Sequence, residues 1–262
     1  MRSLYAIYRK EMGQYFVSPI AYVVVGVFLV LAGFFFDRIL QFFIQNSLQA
    51  EMQAMQYGVP PQIDVPGEVM RNFFGLISSL ILFITPILTM GIYAEERKRG
   101  TMELLMTSPV TETQIVLGKF LASLTLFAIM LFPTAVYIVF MCFESTPRPP
   151  WGLVLAGYLG VLLLGGSLLA LGQFISSLTE NQIIAAVLTF GAFLLLWVLD
   201  LGAQGAGSTL GQVLQYLSVI RHYDDFTRGI IDTSAIVYYA SFLFIFIFLT
   251  VRSVDSMRWR RA

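Results

Sequence analysis

Six apolar stretches, at about 18–40, 73–94, 115–143, 151–175, 183–200 and 235–252, divide this chain, and each approaches the length of a bilayer crossing. About 30 Å of hydrocarbon crossed at about 1.5 Å per helical residue takes about 20 residues. A single backbone segment in hydrocarbon must satisfy its own hydrogen bonds, so stretches of this kind predict helices. The expected fold is therefore an all-α integral membrane protein, with 1–262 forming one transmembrane domain of six helices. The last two stretches are short, which leaves their ends the least defined. Composition agrees: 57% of residues are hydrophobic and 12% charged, against about a quarter charged in soluble domains. The sixteen basic and sixteen acidic residues cancel, so no bulk charge draws the chain to nucleic acid. With one cysteine, Cys142, and one histidine, His222, neither an internal disulfide nor a Cys/His zinc site can form.

Basic residues set the expected orientation. Six spans place both ends on one side, where Arg2, Arg9, Lys10, Arg97, Lys98, Arg99, Lys119, Arg252, Arg258, Arg260 and Arg261 fall. The other side has Arg38, Arg71, Arg148, Arg221 and Arg228. Eleven against five of the sixteen favours cytoplasmic termini. The apolar run after Lys10 outlasts a signal-peptide core and reads as a retained first span. Ahead of it, Leu4, Tyr8, Met12 and Tyr15 recur at helical spacing while Arg9, Lys10 and Gln14 fall elsewhere. That pattern predicts an interfacial amphipathic helix, with a frayed, lipid-touching tail as the alternative.

The densest charge cluster lies between the second and third stretches. Glu95 and Glu96 followed by Arg97, Lys98 and Arg99 put opposite charges at helical neighbour spacing, so the second helix is expected to continue as a solvated stalk. Gly100 ends or bends it. Thr101 then caps a short helix in which Glu103 meets the positive end of the dipole, while Met102, Leu104, Leu105 and Met106 offer an apolar surface. Ser108-Pro109 stops that helix, and Thr111 with Gln114 forms a capping box for the third span, stapled by Val110 and Ile115. Thr179-Glu-Asn-Gln182 repeats the device before the fifth span. Apolar side chains held out from a membrane on a charged stalk imply a partner; the alternative is a helix lying flat on the headgroups.

At these residues the sequence resembles a known family. The run from Glu95 to Val110, with its acidic residues, Gly100-Thr101-Met-Glu103-Leu104 and Ser108-Pro109-Val110, is similar to the signature of type-two (ABC-2-like) ABC transporter permeases, especially the gliding-motility-associated permease branch. Ser176 to Gln182 and His222 to Asp232 are also similar to that branch. The resemblance implies a permease that pairs with a second permease copy, as homo- or heterodimer, in a bacterial cytoplasmic (inner) membrane. A separate cytoplasmic ABC ATPase subunit would dock under each half and hold the ATP and magnesium. The segment after Gly100 would be the coupling helix, with Glu96, Gly100, Thr101, Glu103, Leu104 and Pro109 inheriting the ATPase-coupling role.

The rest of the chain is compatible with that expectation. Gly118-Lys119 lacks the upstream glycine of a phosphate loop, so this chain is expected to bind no cofactor and to be no enzyme itself. Asp37, Arg38, Lys119 and Asp200 lie near span ends rather than at mid-membrane, which disfavours an ion-coupled transporter. A scaffold without transport is the other alternative. Thr85, Thr89, Thr125, Ser167 and Gln173 read as interhelical hydrogen-bonders, and Gly160, Gly165, Gly166, Ala170 and Gly172 as a close-packing face. Pro86 and Pro133 predict kinks, and Phe34, Phe35 and Phe36 an interfacial belt. Beyond Gln41 a Gln- and Met-rich helical stretch runs to Val59-Pro60-Pro61, and the apolar run from Val213 to Ile220 is expected to lie in or re-enter the outer interface.

Overall fold

The computed structural model describes residues 2–57, 64–102, 105, 109–145, 147–205 and 218–259. All elements among the described residues are helical: α1 Arg2–Val17, α2 Pro19–Tyr57, α3 Val65–Thr89, α4 Ala94–Lys98, α5 Glu112–Leu131, a 3-10 turn Phe132–Thr134, α6 Ala135–Glu144, α7 Trp151–Leu178, α8 Gln182–Gly205, α9 Val219–Thr227 and α10 Thr233–Trp259. Among the described residues five segments are long and apolar enough to cross a bilayer: Pro19–Met55, Val65–Lys98, Glu112–Glu144, Trp151–Leu178 and Thr233–Met257. Gln182–Val198 is a shorter apolar helix.

Local chemistry accounts for most boundaries. Asp64 caps α3 by accepting from Gly67 N at 3.2 Å, and Pro66 suits the first turn because a helix leaves its first amides unbonded anyway. At the start of α5 the capping box forms as expected: Gln114 N donates to Thr111 Oγ1 at 3.4 Å, and Thr111 N to Gln114 Oε1 at 3.5 Å. Pro133 falls within the 3-10 turn that separates α5 from α6. The device before α8 differs from the expectation. There Asn181 is the cap, accepting from Ile183 N at 2.9 Å and Ile184 N at 3.4 Å, while Thr179 accepts only from Asn181 N. Asn181 sits one residue before the helix, where its side-chain oxygen meets the unbonded amides of the first turn.

The first apolar stretch continues without a break into the Gln- and Met-rich stretch expected to be helical: α2 is a single helix of 39 residues, about 58 Å at 1.5 Å per residue, so it extends well beyond any hydrocarbon layer. One further expectation is corrected. Phe36 is no interfacial belt residue. It is 5% exposed, stacks on Tyr137 at 4.8 Å and meets Phe73 edge-on at 5.4 Å. Burial on this scale follows from its helical phase, one turn from Ala32 and two from Phe28, both fully buried.

α7 is the central element, and its glycines set how closely its neighbours approach. A Cβ on Gly157 would stand 2.4 Å from the Phe74 ring, on Gly160 2.5 Å from Phe226, on Gly165 2.3 Å from Phe127 and on Gly172 2.3 Å from Thr89. These are contacts within one chain, with α3, α5 and α9. Around them lies one continuous core, in which Phe73, Phe74, Ile77, Ile81 and Phe127 are fully buried. α9 is tucked into one end of the bundle: Tyr223 donates to Phe74 O at 2.8 Å, and Tyr239 to Val219 O at 2.7 Å. The part of the expected re-entrant run from Val213 to Leu217 lies outside the described residues.

Candidate functional site

At the opposite end of the bundle a second, smaller core gathers Ile7, Ile92, Tyr93, Met102, Ile115, Val116 and Val254. The first helix, the last helix and the charged loop between the second and third spans therefore meet on one end. Their arrangement is built from a break. α3 does not run on as a continuous stalk; it stops at Thr89, residues 90–93 form turns, and α4 restarts at Ala94. The amides exposed by the restart are capped from another helix. Ser176 of α7 accepts from Tyr93 N at 3.2 Å and Ala94 N at 3.3 Å, and its hydroxyl donates to Met90 O at 3.0 Å. One side chain thus substitutes for the missing turn on both sides of the break. Gln173, one turn earlier on α7, donates to Tyr93 Oη at 3.2 Å and Val116 O at 3.0 Å.

Inside this joint lies a buried charge network. Lys119, on the second turn of α5, is 2% exposed. Its Nζ donates to Glu11 Oε1 of α1 at 2.9 Å and to Ile92 O at 3.1 Å. Glu96 Oε2 of α4 stands 3.0 Å away, too oblique for a hydrogen bond but within ion-pair range. The Tyr93 ring lies 5.4 Å from the ammonium, adding a cation–π contact. Lys10 closes the group, donating to Glu96 Oε1 at 3.3 Å and standing 3.6 Å from Glu11 Oε1. Two cations and two carboxylates alternate, so the cluster is neutral, and it fastens α1, α4 and α5 together. Burial of this kind is tolerated only because every charge has an opposite neighbour. Nearby burial pushes the Tyr15 hydroxyl of α1 well above the ordinary tyrosine range, with the Glu11 charge adding to the effect.

α1 lies on α5 at Gly118, where a Cβ would stand 2.8 Å from Ile7 Cγ2. The buried stripe of α1 is centred on Ile7 and Glu11, with Leu4, Tyr8, Met12 and Tyr15 half-buried beside it. The apolar pattern expected Leu4, Tyr8, Met12 and Tyr15 at the centre; the face is rotated because Glu11 has Lys119 to meet. Tyr8 donates to Thr125 Oγ1 at 3.3 Å.

The residues singled out for coupling divide as follows. Glu96 is in the charge network. Gly100 has φ +71°, the left-handed conformation that terminates α4 and favours glycine. Thr101 donates to Glu96 O at 3.3 Å, so it holds the end of α4 instead of capping a new helix through its side chain. Pro109 is exposed. Glu103, Leu104, Met106, Thr107 and Ser108 lie outside the described residues. Met102 faces inward, 4% exposed within the small core, and Leu105 is half-buried against the same core. Arg97 of α4 bonds Ser177 O and Glu180, both at 2.9 Å, which ties the stalk to the end of α7. Glu11, Lys119 and Ser176 are the structural residues that sequence patterning left out. The available signals were a carboxylate four residues after Ile7 on a helix, and a lysine interrupting an otherwise apolar third stretch.

The chain has relatives with named transport functions. It is 27% identical over 173 residues to "Probable multidrug ABC transporter permease YbhR" of Escherichia coli (strain K12), covering 65% of this chain and 45% of that protein. It is 30% identical over 146 residues to "Probable multidrug ABC transporter permease YbhS" of the same organism, covering 50% of this chain and 36% of that protein. The chain spans less than half the length of these curated relatives. The sequence profile described as "ABC-2 family transporter protein" matches residues 5–255, from within α1 to near the end of α10. With its helical bundle and jointed stalk, the chain belongs to the ABC-2 family of transporter permeases.

Proposed function

We propose that this permease works with a separate cytoplasmic ATPase and a second permease copy to move cargo outward across the cytoplasmic membrane. In this reading both termini and the end carrying α4 face the cytosol, with the basic residues Arg9, Lys10, Arg97, Lys98 and Arg99 on that side, as the positive-inside rule expects. ATP and magnesium sit on the partner subunit. The segment from Gly100 to Pro109 is the contact it grips, and Glu96, Gly100, Thr101, Glu103, Leu104 and Pro109 carry the coupling. The single observation supporting this most strongly is the braced joint below the segment. A push at Met102 or Leu105 bears on a core that includes Ile7, Ile115 and Val254, and so reaches α1, α5 and α10 together. A loop anchored only by its ends would dissipate the same push.

Purification of the chain from its native membrane is expected to recover an ATPase subunit. Scrambling the residues from Gly100 to Thr107 should release that subunit and abolish ATP-dependent transport while leaving the helical bundle folded. Intact association and transport in the scrambled variant would exclude a coupling role.

A further inference from the structure

A cavity of about 1170 Å³ opens beside the joint, between α1, the start of α2, the last turns of α3 and the stalk α4. It exceeds the volume of ordinary drug-sized pockets, about 300–1,000 Å³. Its two ends differ in chemistry. Ile20, Ala21, Val24, Ile87 and Leu88 form an aliphatic wall, and Ile20 and Ile87 are exposed on membrane-length helices, so this end communicates with lipid. The other end carries Lys10, Arg99 and Lys119 with Glu11, Glu95 and Glu96, three cations against three anions.

The bonding left over in this lining specifies what it can take. Lys119 makes two hydrogen bonds, to Glu11 and Ile92 O, and ion-pairs with Glu96. Among the described residues Lys10 has one hydrogen bond, to Glu96, leaving N–H donors for a ligand. The Arg99 side chain is 70% exposed and, among the described residues, pairs with Glu95 through one nitrogen. Beside Gly91 stand an acceptor, Glu95 Oε2, and a donor, Gln182 Nε2, 3.4 and 3.8 Å from where a Cβ would stand. The side-chain amides of Gln14 and Gln182 form no hydrogen bonds among the described residues. A lining with balanced charge gives little attraction to a head group of one sign. A head carrying a phosphate and an ammonium satisfies both sets, and its hydrocarbon continues onto the aliphatic wall.

We propose that this cavity is a binding site for one zwitterionic phospholipid drawn from the adjoining leaflet. Its phosphate is held by Lys10, Arg99 and the Gln182 amide N–H, its ammonium by Glu95 and the Gln14 amide oxygen, and its first acyl segment lies along Val24, Ile87 and Leu88. Seated there, the lipid contacts α1, α3 and α4 at once and becomes part of the joint. Binding of this lipid does not require ATPase coupling.

The full chain is purified, delipidated, and reconstituted with phosphatidylethanolamine, with phosphatidylglycerol or with inorganic phosphate, and bound lipid is counted by native mass spectrometry alongside thermal melting. One phosphatidylethanolamine per chain is expected to survive, with at least ~tenfold preference over phosphatidylglycerol, equivalent to ~1.4 kcal/mol. Phosphate alone should leave the melting temperature unchanged. Gly91→Phe, which projects a ring into the head-group end of the cavity, and the paired Gln14→Leu with Gln182→Leu should each lose the retained lipid. The second variant decides the matter if the first misfolds. Equal retention of phosphatidylglycerol, stabilisation by phosphate alone, or full retention in the glutamine pair variant would overturn the assignment.

Discussion

Replacing Lys119 with methionine isolates the contribution of the buried charge network. The side chain keeps its approximate length and loses its charge, leaving Glu11 and Glu96 facing each other in a joint where Glu11 is 7% exposed. At the observed separations of 2.9 and 3.0 Å, each carboxylate is attracted to the ammonium by about 6 kcal/mol at an effective dielectric near 20. Most of that attraction only offsets the several kcal/mol that each ion loses on leaving water. Removal of one partner does not refund the desolvation of the others, and measured cases cost about 3–5 kcal/mol. Lys10, at 3.3 and 3.6 Å from the two carboxylates, compensates in part, which places the expected loss near the lower figure, about 3 kcal/mol. At about 2–4 °C per kcal/mol, melting in detergent should fall by about 6–12 °C. The triple variant Glu11→Gln, Glu96→Gln, Lys119→Met removes the three buried charges together and should recover most of that loss, since the remaining cation, Lys10, has a side chain 47% exposed and keeps its water. A Lys119→Met variant melting with the wild type, or a triple variant as unstable as the sum of its parts, would refute the view that these charges are mutually dependent.

Other consequences follow from individual contacts. Ser176→Ala leaves the Tyr93 and Ala94 amides without their acceptor and should cost about 1–3 kcal/mol; amide exchange should quicken at those two residues and not in the middle of α3. Gly157→Ala forces a methyl into the Phe74 ring and should destabilise by about 1–3 kcal/mol, whereas Gly152→Ala, with open space around its Cβ position, should not move the melting temperature downward. Hydrogen bonds from the Ser234 hydroxyl and amide, helped by the His222 charge, hold the Asp232 carboxyl below the usual carboxylate range. Because the folded value is the lower one, this cap is fully present above the unfolded value and is lost as pH falls through the folded one. The first turn of α10 should therefore fray in acid below about pH 4, measured as amide exchange corrected for its intrinsic rate, and Asp232→Asn should abolish the pH dependence.

Hydropathy made the membrane fold legible because the solvent itself imposes it: hydrocarbon admits few chain conformations, and a run of apolar residues long enough to cross it must be helical. Capping chemistry was legible for the same local reason at Thr111 and Gln114, whose partners lie three residues apart, and the motif from Gly100 to Val110 carried the family. Phe36 and Glu11 show where one-dimensional reading stops. Phe36 was assigned by its neighbours in sequence and Glu11 was passed over, yet each takes its role from a residue about one hundred positions away, Tyr137 in one case and Lys119 in the other. The break after Thr89 is of the same kind, since nothing near it in the chain announces that Ser176 will arrive to cap the restart. Sequence alone determined that this protein lives in a bilayer as a bundle of helices, because solvent and backbone dictate that locally. Only the tertiary structure decided which charges are buried and which helices they fasten together, because those depend on side chains brought together from distant parts of the chain.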